Sequence, residues 1–223
     1  MRTAASGPIT VQDTSVPSRA CRFECAKLCQ VISWHAGDWL NPPPMATVVG
    51  SELVVSAARG SDFWQYTAYE FRRDSGHALL APFAEGSAIE VSFVVDYGEL
   101  YDQAGLLVRL NELTWIKAGV EVFDGSPQLS AVVTHGASDW SVAPVPSWAG
   151  AEVTVRASWS SAAVTLRARA EGGPWRLFRL VPFPGDSAIK AGPYCCAPER
   201  EGLTVRFTRW SAGDADVSLH ARD

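Results

Sequence analysis

Residues 101–141 read YDQAGLLVRLNELTWIKAGVEVFDGSPQLSAVVTHGASDWS, and this segment has the clearest strand pattern of the chain. It contains three runs rich in β-branched and aromatic residues, at 106–110, 114–122 and 129–134. Turn-forming residues, Asn-Glu and Asp-Gly-Ser-Pro, separate the runs. The pattern predicts three consecutive antiparallel strands joined as a β-meander.

The middle run has two different faces, because strand side chains alternate every two residues. Trp115, Lys117 and Glu121 share one face. The opposite face is a continuous apolar row formed by Ile116, Ala118, Val120 and Val122. We therefore expect the apolar row in the core and a candidate site on the polar face.

The rest of the chain shows the same kind of pattern. At least ten short strand-like runs occur, with turn signals every eight to fifteen residues and no amphipathic helix after residue 30. This is typical of an antiparallel sandwich or barrel. We predict one all-β domain, an antiparallel β-sandwich at residues 31–210, with an N-terminal extension at 1–30 and a polar C-terminal tail at 211–223.

Composition excludes several classes of function. The formal net charge of -5 at pH 7 provides no basic surface for nucleic acid. No apolar run is long enough to cross a bilayer. The N-terminal residues contain no continuous apolar segment of the secretory kind. We therefore expect a cytoplasmic protein with neither a nucleic-acid nor a membrane partner.

The five cysteines fit a reducing compartment. Cys21, Cys25 and Cys29 would share one face of a helix, but they lack the closer pairs and the fourth ligand of a structural zinc site. Cys195 and Cys196 are adjacent, where a disulfide would be strained, so we expect reduced, buried thiols. The four histidines form no close pair. We therefore predict no metal and no cofactor.

Several sequence blocks occur in the order seen in a known family. They are GDWLNPPP (37–44), SDFWQYTAYEF (61–71), YDQAGLLVRL (101–110), TWIKAGVEVFDG (114–125) and LSAVVTHGASDWS (129–141). On these blocks the chain resembles the regulation-of-enolase-like family, called domain of unknown function 1349. The resemblance implies a concanavalin A-like jelly roll whose concave face offers a cleft, and it implies no particular reaction. Pro42 stands where the family often has glutamate, so that carboxylate has no counterpart in this chain.

The polar face of the meander carries the candidate site. Lys117 and Glu121 are ~13 Å apart along one strand, so each needs a cross-strand partner or a ligand. A tryptophan on such a face would expose a large apolar area to water, which indicates a surface that binds a ligand. The expected ligand-binding residues, drawn from this face, from strand ends and from the proline-rich loop, are Trp39, Asn41, Trp64, Asp102, Gln103, Arg109, Trp115, Thr134 and Trp140.

Three functions remain open at this stage. The first is a binding module, non-enzymatic or regulatory, that recognises a carbohydrate or similar small polar molecule. The second is a cofactor-independent hydrolase, isomerase or cyclase in which Lys117 acts with Glu121 or Asp139 as acid and base. A glycosidase that pairs Glu121 with Asp102 or Asp139 is a variant of the second. The third, suggested by the family's name alone, is a protein partner, and the oligomeric state is open.

Overall fold

The computed structural model describes residues 29–185 and 188–220, and it is an all-β sandwich. Two large antiparallel sheets pack face to face, which confirms the predicted fold class. The described residues contain one helical turn, at Pro146–Trp148. They contain no helix of the length and apolarity that crossing a bilayer requires.

The strands follow one another along the chain with short connections. Their bounds are β1 Gln30–Val31, β2 Asp38–Leu40, β3 Met45–Val49, β4 Glu52–Ser56, β5 Phe63–Gln65, β6 Arg72–Asp74, β7 His77–Pro82, β8 Ser87–Val94, β9 Gln103–Asn111, β10 Thr114–Phe123, β11 Ser126–His135, β12 Ala137–Pro144, β13 Glu152–Ser160, β14 Ala163–Ala170, β15 Arg176–Pro182, β16 Lys190–Cys196 and β17 Thr204–Asp214. The predicted meander corresponds to β9, β10 and β11, so that prediction is confirmed.

The back sheet has the order β15-β14-β13-β8-β17-β4-β3, with β1 also paired to β17. The front sheet has the order β12-β11-β10-β9-β16-β7-β2. Strands β5 and β6 form a separate hairpin. The meander therefore occupies one half of the front sheet, with β10 between β9 and β11.

The main core lies between the two sheets. The predicted apolar row of β10 contributes to it, with Ile116, Ala118 and Val120 fully buried. The back sheet contributes large rings, including Trp159 and Trp210, which are also buried. Fully burying one such apolar side chain contributes about 1.5–3 kcal/mol to stability. The alternation read from the sequence is thus the alternation between core and outer face.

A second apolar cluster covers the outer face of the front sheet, which is the face directed away from the back sheet. The β5–β6 hairpin lies on this face and packs Phe63 and Trp64 against Trp115, Leu107 and Val132. Adjacent residues of a strand face opposite sides, so the sheet alone would cover only one of the two hairpin aromatics. Both are buried, because the hairpin has the sheet beneath it and further aromatic rings beside it. The middle of the outer face is therefore covered.

The last strand of the sandwich ends within the predicted C-terminal tail. Strand β17 continues to Asp214, past residue 210, and Arg156 and Arg167 bind the carboxylate of Asp216 in the predicted tail. The predicted extension, with Cys21 and Cys25, lies outside the described residues except for its last two positions. Among the described residues Cys195 and Cys196 are buried and free, as expected.

Candidate functional site

A cavity of about 190 Å³ lies on the outer face of the front sheet, beside the hairpin. Strands β9 to β12 supply its floor, the hairpin one wall, and the loop after β16 another. Its lining residues come from segments far apart in sequence: Asp62, Trp64, Tyr69, Phe71, Arg73, Tyr101, Gln103, Lys117, Glu121, Val132, Trp140, Pro198 and Glu199.

Lys117 joins the floor of the cavity to the hairpin. Its Nζ donates to Oδ1 of Asp62 at 2.9 Å and to the backbone oxygen of Phe63 at 3.2 Å. Burial by itself lowers the pKa of Lys117, but the negative charges of Asp62 and Glu121 outweigh burial, so the pKa is raised. The lysine is therefore a protonated partner of Asp62 and not a free base.

Glu121 faces Gln103 across strands β10 and β9. The two residues are 4% and 3% exposed. The Oε1 atom of each is buried and has no hydrogen-bond partner among the described residues. Burial raises the pKa of Glu121, and the charge of Lys117 with the polar groups of Trp140 and Ser130 offsets this only in part. Two residues that line the cavity thus each carry an acceptor oxygen without a partner among the described residues, and one of these oxygens belongs to a carboxyl that holds its proton more tightly than usual.

A glycine pair separates the two polar residues of β10. Gly119 stands between Lys117 and Glu121 and pairs with Gly105 of β9. A Cβ atom on Gly119 would lie 2.0 Å from the backbone oxygen of Ala104, so no larger residue fits there. No side chain therefore stands between the ammonium and the carboxyl on this strand.

Aromatic rings form much of the remaining wall. Trp64 and Trp140 meet edge to face, with ring centroids 6.4 Å apart. Tyr69 and Phe71 are stacked, with centroids 5.3 Å apart. Tyr101 also lines the cavity, just before β9. The walls therefore offer flat apolar faces next to polar groups, as ligand sites commonly do.

Two charged side chains of opposite sign complete the lining. Arg73 of β6 is half-buried, and its guanidinium lies 4.8 Å from the centroid of the Phe71 ring. Glu199 follows β16 and is exposed. The hairpin thus supplies a cation to the cavity, and the loop after β16 supplies an anion.

The cavity combines hydrogen-bonding groups with apolar rings, and Glu121 is the lining carboxyl whose pKa is raised. Glu121 accepts hydrogen bonds when ionised, and its carboxyl can also donate when protonated. The described residues hold no group of three or more His, Cys, Asp or Glu side chains placed to bind a metal ion. Hydroxyl groups of a small ligand match the two unpaired acceptors.

The structure brings several sequence-predicted residues together in this cavity: Trp64, Gln103, Lys117, Glu121 and Trp140. Strand alternation places Gln103 of β9 and Lys117 and Glu121 of β10 on the same face of the sheet. Trp64 lies on the hairpin, and Trp140 lies on β12 at the edge of the sheet.

Trp115 and Thr134 lie on the predicted face but are covered. Trp115 is fully buried beneath Phe63, with ring centroids 6.0 Å apart, and its indole N–H donates to the backbone of Glu112. The Thr134 hydroxyl is hydrogen-bonded to Ser138 at 2.9 Å and is also buried. Neither side chain lines the cavity, because the hairpin occupies the surface above Trp115 and Thr134 is buried.

Three other predicted ligand-binding residues are engaged within the protein. Asp102 is fully buried and ion-paired with Arg200. Arg109 donates to both carboxylate oxygens of Asp74, at 2.7 and 2.8 Å. Asn41 Nδ2 donates to the backbone oxygen of Asp74 at 2.7 Å. These side chains hold the hairpin and loops in place and do not line the cavity.

Trp39 and Asp139 lie away from the cavity. Trp39 borders a separate, open cleft on β2 at the far edge of the front sheet. Asp139 is next to Trp140 on β12, so it points to the opposite side of the sheet, where it forms an ion pair with Arg179. Its side chain is 65% exposed. The structure therefore does not bring Asp139 or Trp39 together with the residues that line the cavity.

The hairpin wall was missed in the sequence. Asp62, Tyr69, Phe71 and Arg73 belong to a segment whose two strands have three residues each, too short for alternation to show. The available signal was an acidic residue directly before two adjacent aromatics, in Ser-Asp-Phe-Trp. Such an Asp beside buried rings needs a cationic partner, and Lys117 is that partner.

Comparison with known proteins places the chain in a family. The sequence model described as protein of unknown function (DUF1349) matches residues 39–215. The chain belongs to the DUF1349 family. The matched part of this DUF1349 chain includes every residue that lines the cavity, from Asp62 to Glu199.

A sequence and a solved structure from Saccharomyces cerevisiae are similar to the DUF1349 chain over most of its length. Regulation of enolase protein 1 is 37% identical over 175 residues, which is 78% of this chain and 88% of the relative. The crystal structure of a functionally unknown protein from that yeast superposes with a TM-score of 0.78 at 35% identity, covering 84% of this chain and all of that one. The sandwich described above is therefore shared with a solved relative.

More distant structures share the fold alone. A xylan β-1,4-xylosidase from Bacillus halodurans C-125 superposes with a TM-score of 0.63 at 12% identity. The match covers 82% of the DUF1349 chain and 39% of the xylosidase. The β-sandwich of this chain thus resembles one part of a larger glycosidase.

Proposed function

We propose that this DUF1349 protein binds a carbohydrate or similar small polar molecule in the cavity beside Lys117 and Glu121. The proposal rests on the buried Oε1 atoms of Gln103 and Glu121, which have no partner among the described residues and belong to side chains that line an aromatic-walled cavity. A buried acceptor left unpaired costs about 1–3 kcal/mol. A ligand hydroxyl donated to each oxygen would remove that cost.

The aromatic walls support a ring-shaped ligand. Trp64, Tyr69, Tyr101 and Trp140 present rings next to the two acceptors. The C–H faces of a sugar ring are apolar and its hydroxyls project outward, which matches rings and acceptors placed side by side. Ligand sites of this kind combine apolar walls with few, well-placed polar groups.

The size of the cavity supports a ligand of about one ring. Its volume of about 190 Å³ is below the roughly 300–1,000 Å³ of clefts that hold drug-sized molecules. The hairpin and the apolar cluster beneath it occupy the middle of the outer face. An extended polymer lying along the sheet would meet the hairpin, so a single unit fits best.

A thermal-shift screen tests this proposal. The panel contains neutral monosaccharides, uronic acids, sugar phosphates and polyols, each added to wild type, Trp140→Ala, Glu121→Gln and Asp139→Asn. A ligand at 100 times its Kd adds about 2.7 kcal/mol, which raises the midpoint of a domain this size by roughly 2–4 °C. We expect the shift in wild type and Asp139→Asn and its loss in Trp140→Ala. Absence of a shift from the whole panel contradicts the proposal.

A cofactor-independent enzyme is the second candidate. The observation that favours it is the raised pKa of Glu121, caused first by burial, in a cavity open to solvent. A carboxyl that stays protonated closer to neutral pH can act as a general acid. Glu121→Gln separates the two candidates, because an enzyme would lose turnover of the bound compound while a binding module has no turnover to lose.

The cellular role follows from the same proposal. The relative from yeast is named for regulation of enolase, and we extend to this chain a regulatory role in metabolism in which the bound ligand controls a protein partner. Cytoplasmic location is part of the proposal, supported by the free Cys195 and Cys196. A pull-down with and without the ligand, followed by fractionation, tests both parts.

A further inference from the structure

Arg73 distinguishes the hairpin side of the cavity. Its side chain lines the cavity, and its guanidinium contacts the Phe71 ring at 4.8 Å from the centroid. Within residues 29–185 and 188–220 this guanidinium forms no hydrogen bond and no ion pair. A half-buried guanidinium has five donors, and here the protein leaves them to the cavity and to solvent.

Two cations of the front sheet that lie near the hairpin are both neutralised by the protein. Lys117 is paired with Asp62 at 2.9 Å, and Arg109 holds both oxygens of Asp74. Both carboxylates flank the hairpin that carries Arg73, yet neither reaches it. The positive charge of Arg73 is therefore left available to a ligand in the cavity.

We infer that the ligand carries an oxyanion, a carboxylate or a phosphate, which Arg73 binds while the hydroxyls of the same ligand bind Gln103 and Glu121. This inference rests on the proposed function. The planar guanidinium fits carboxylate and phosphate oxygens with two parallel hydrogen bonds. The class of ligand is thus an acidic monosaccharide, such as a uronic acid or a sugar phosphate.

Glu199 determines the orientation of the bound ligand in the cavity. It lies on the loop after β16, whereas Arg73 lies on the hairpin, so the two charges belong to different walls. An anionic group near Glu199 would be repelled, and the same group near Arg73 would be attracted. The oxyanion therefore points towards the hairpin.

Matched ligand pairs test the inference. Affinities are measured by calorimetry for glucose against glucuronate and glucose 6-phosphate, and for galactose and mannose against their uronic acids and 6-phosphates. Charge-assisted hydrogen bonds predict that the acidic member of at least one pair binds about tenfold or more tightly than its neutral member. Arg73→Gln should remove this preference. The carboxylate and phosphate arms show which oxyanion is preferred.

Arg72→Gln is the matched control. Arg72 is adjacent on β6 but exposed, lies over the Tyr66 ring and does not line the cavity. It should keep the preference for the acidic ligand, and Glu199→Gln should increase it. Equal binding of neutral and acidic sugars, or a preference that survives Arg73→Gln, overturns the inference but leaves the proposed function standing. Failure of every neutral and acidic sugar to bind overturns both.

Discussion

The ammonium of Lys117 lies 2.9 Å from Oδ1 of Asp62, and this contact joins the middle strand of the meander to the hairpin that covers it. Both charges are largely buried, with side-chain exposures of 4% and 12%. Because the pair links sheet and hairpin, it also fixes the wall of the cavity. The stability of the site and its shape therefore depend on the same contact.

Lys117→Met should destabilise the protein by about 3–5 kcal/mol, because it leaves the Asp62 carboxylate buried without its cation. Urea unfolding followed by circular dichroism measures the change. In the double variant with Asp62→Asn the loss should be clearly smaller than the sum of the two single losses. Additive losses would show that the two side chains do not interact.

The pH dependence of stability should show that the folded-state pKa of Glu121 is raised. Its folded-state pKa is raised by burial, so the folded protein binds more protons than the unfolded chain at pH values above the ordinary carboxyl pKa. Its contribution is therefore full below about pH 4.5 and is lost as the pH rises through the folded-state pKa. Glu121→Gln should remove this decline, so that the variant gains stability relative to wild type as pH increases. A difference that is constant from pH 4 to 8 contradicts the assignment.

Two tryptophans on one face of the front sheet should behave differently. Trp115→Ala should cost about 3–5 kcal/mol of stability, because the ring is fully buried under Phe63. Trp140→Ala should cost less, since Trp140 is only partly buried, but it should abolish ligand binding. Chemical unfolding and calorimetric titration of both variants measure the two effects. The reverse pattern would place the ligand elsewhere.

Asp139→Asn should change stability by less than about 1 kcal/mol, because the Asp139 side chain of the ion pair with Arg179 is exposed to solvent. Ligand affinity should also stay within error of wild type, since Asp139 points away from the cavity. Unfolding and titration of this variant provide both values. A large loss of affinity would show that Asp139 contributes to ligand binding and would contradict its placement away from the cavity.

The local pattern of β10 was sufficient to predict which of its residues enter the core and which lie on the outer face. Lys117 and Glu121 were found in this way, because alternation is a property of the strand itself. The position of Asp139 was also accessible in principle. Once β12 is recognised as a strand, alternation places Asp139 and Trp140 on opposite faces.

The local sequence pattern could not predict that the β5–β6 hairpin covers the outer face of the front sheet. The hairpin strands have three residues each, and they pack on strands tens of residues further along the chain. Trp115 therefore looked like a surface for a ligand, although Phe63 covers it. The partner of Lys117 was missed for the same reason, because Asp62 meets it only through this long-range packing.

The most direct test of ligand binding in this cavity is a set of ¹⁵N–¹H spectra of the tryptophan indole groups, recorded with each monosaccharide, uronic acid and sugar phosphate of the panel. Trp64→Phe and Trp140→Phe assign the two cavity signals. We predict that a binding compound moves the signals of Trp64 and Trp140 and leaves that of Trp39, in its separate cleft, unchanged. Cavity signals that no compound moves, or changes confined to Trp39, would contradict the proposed site.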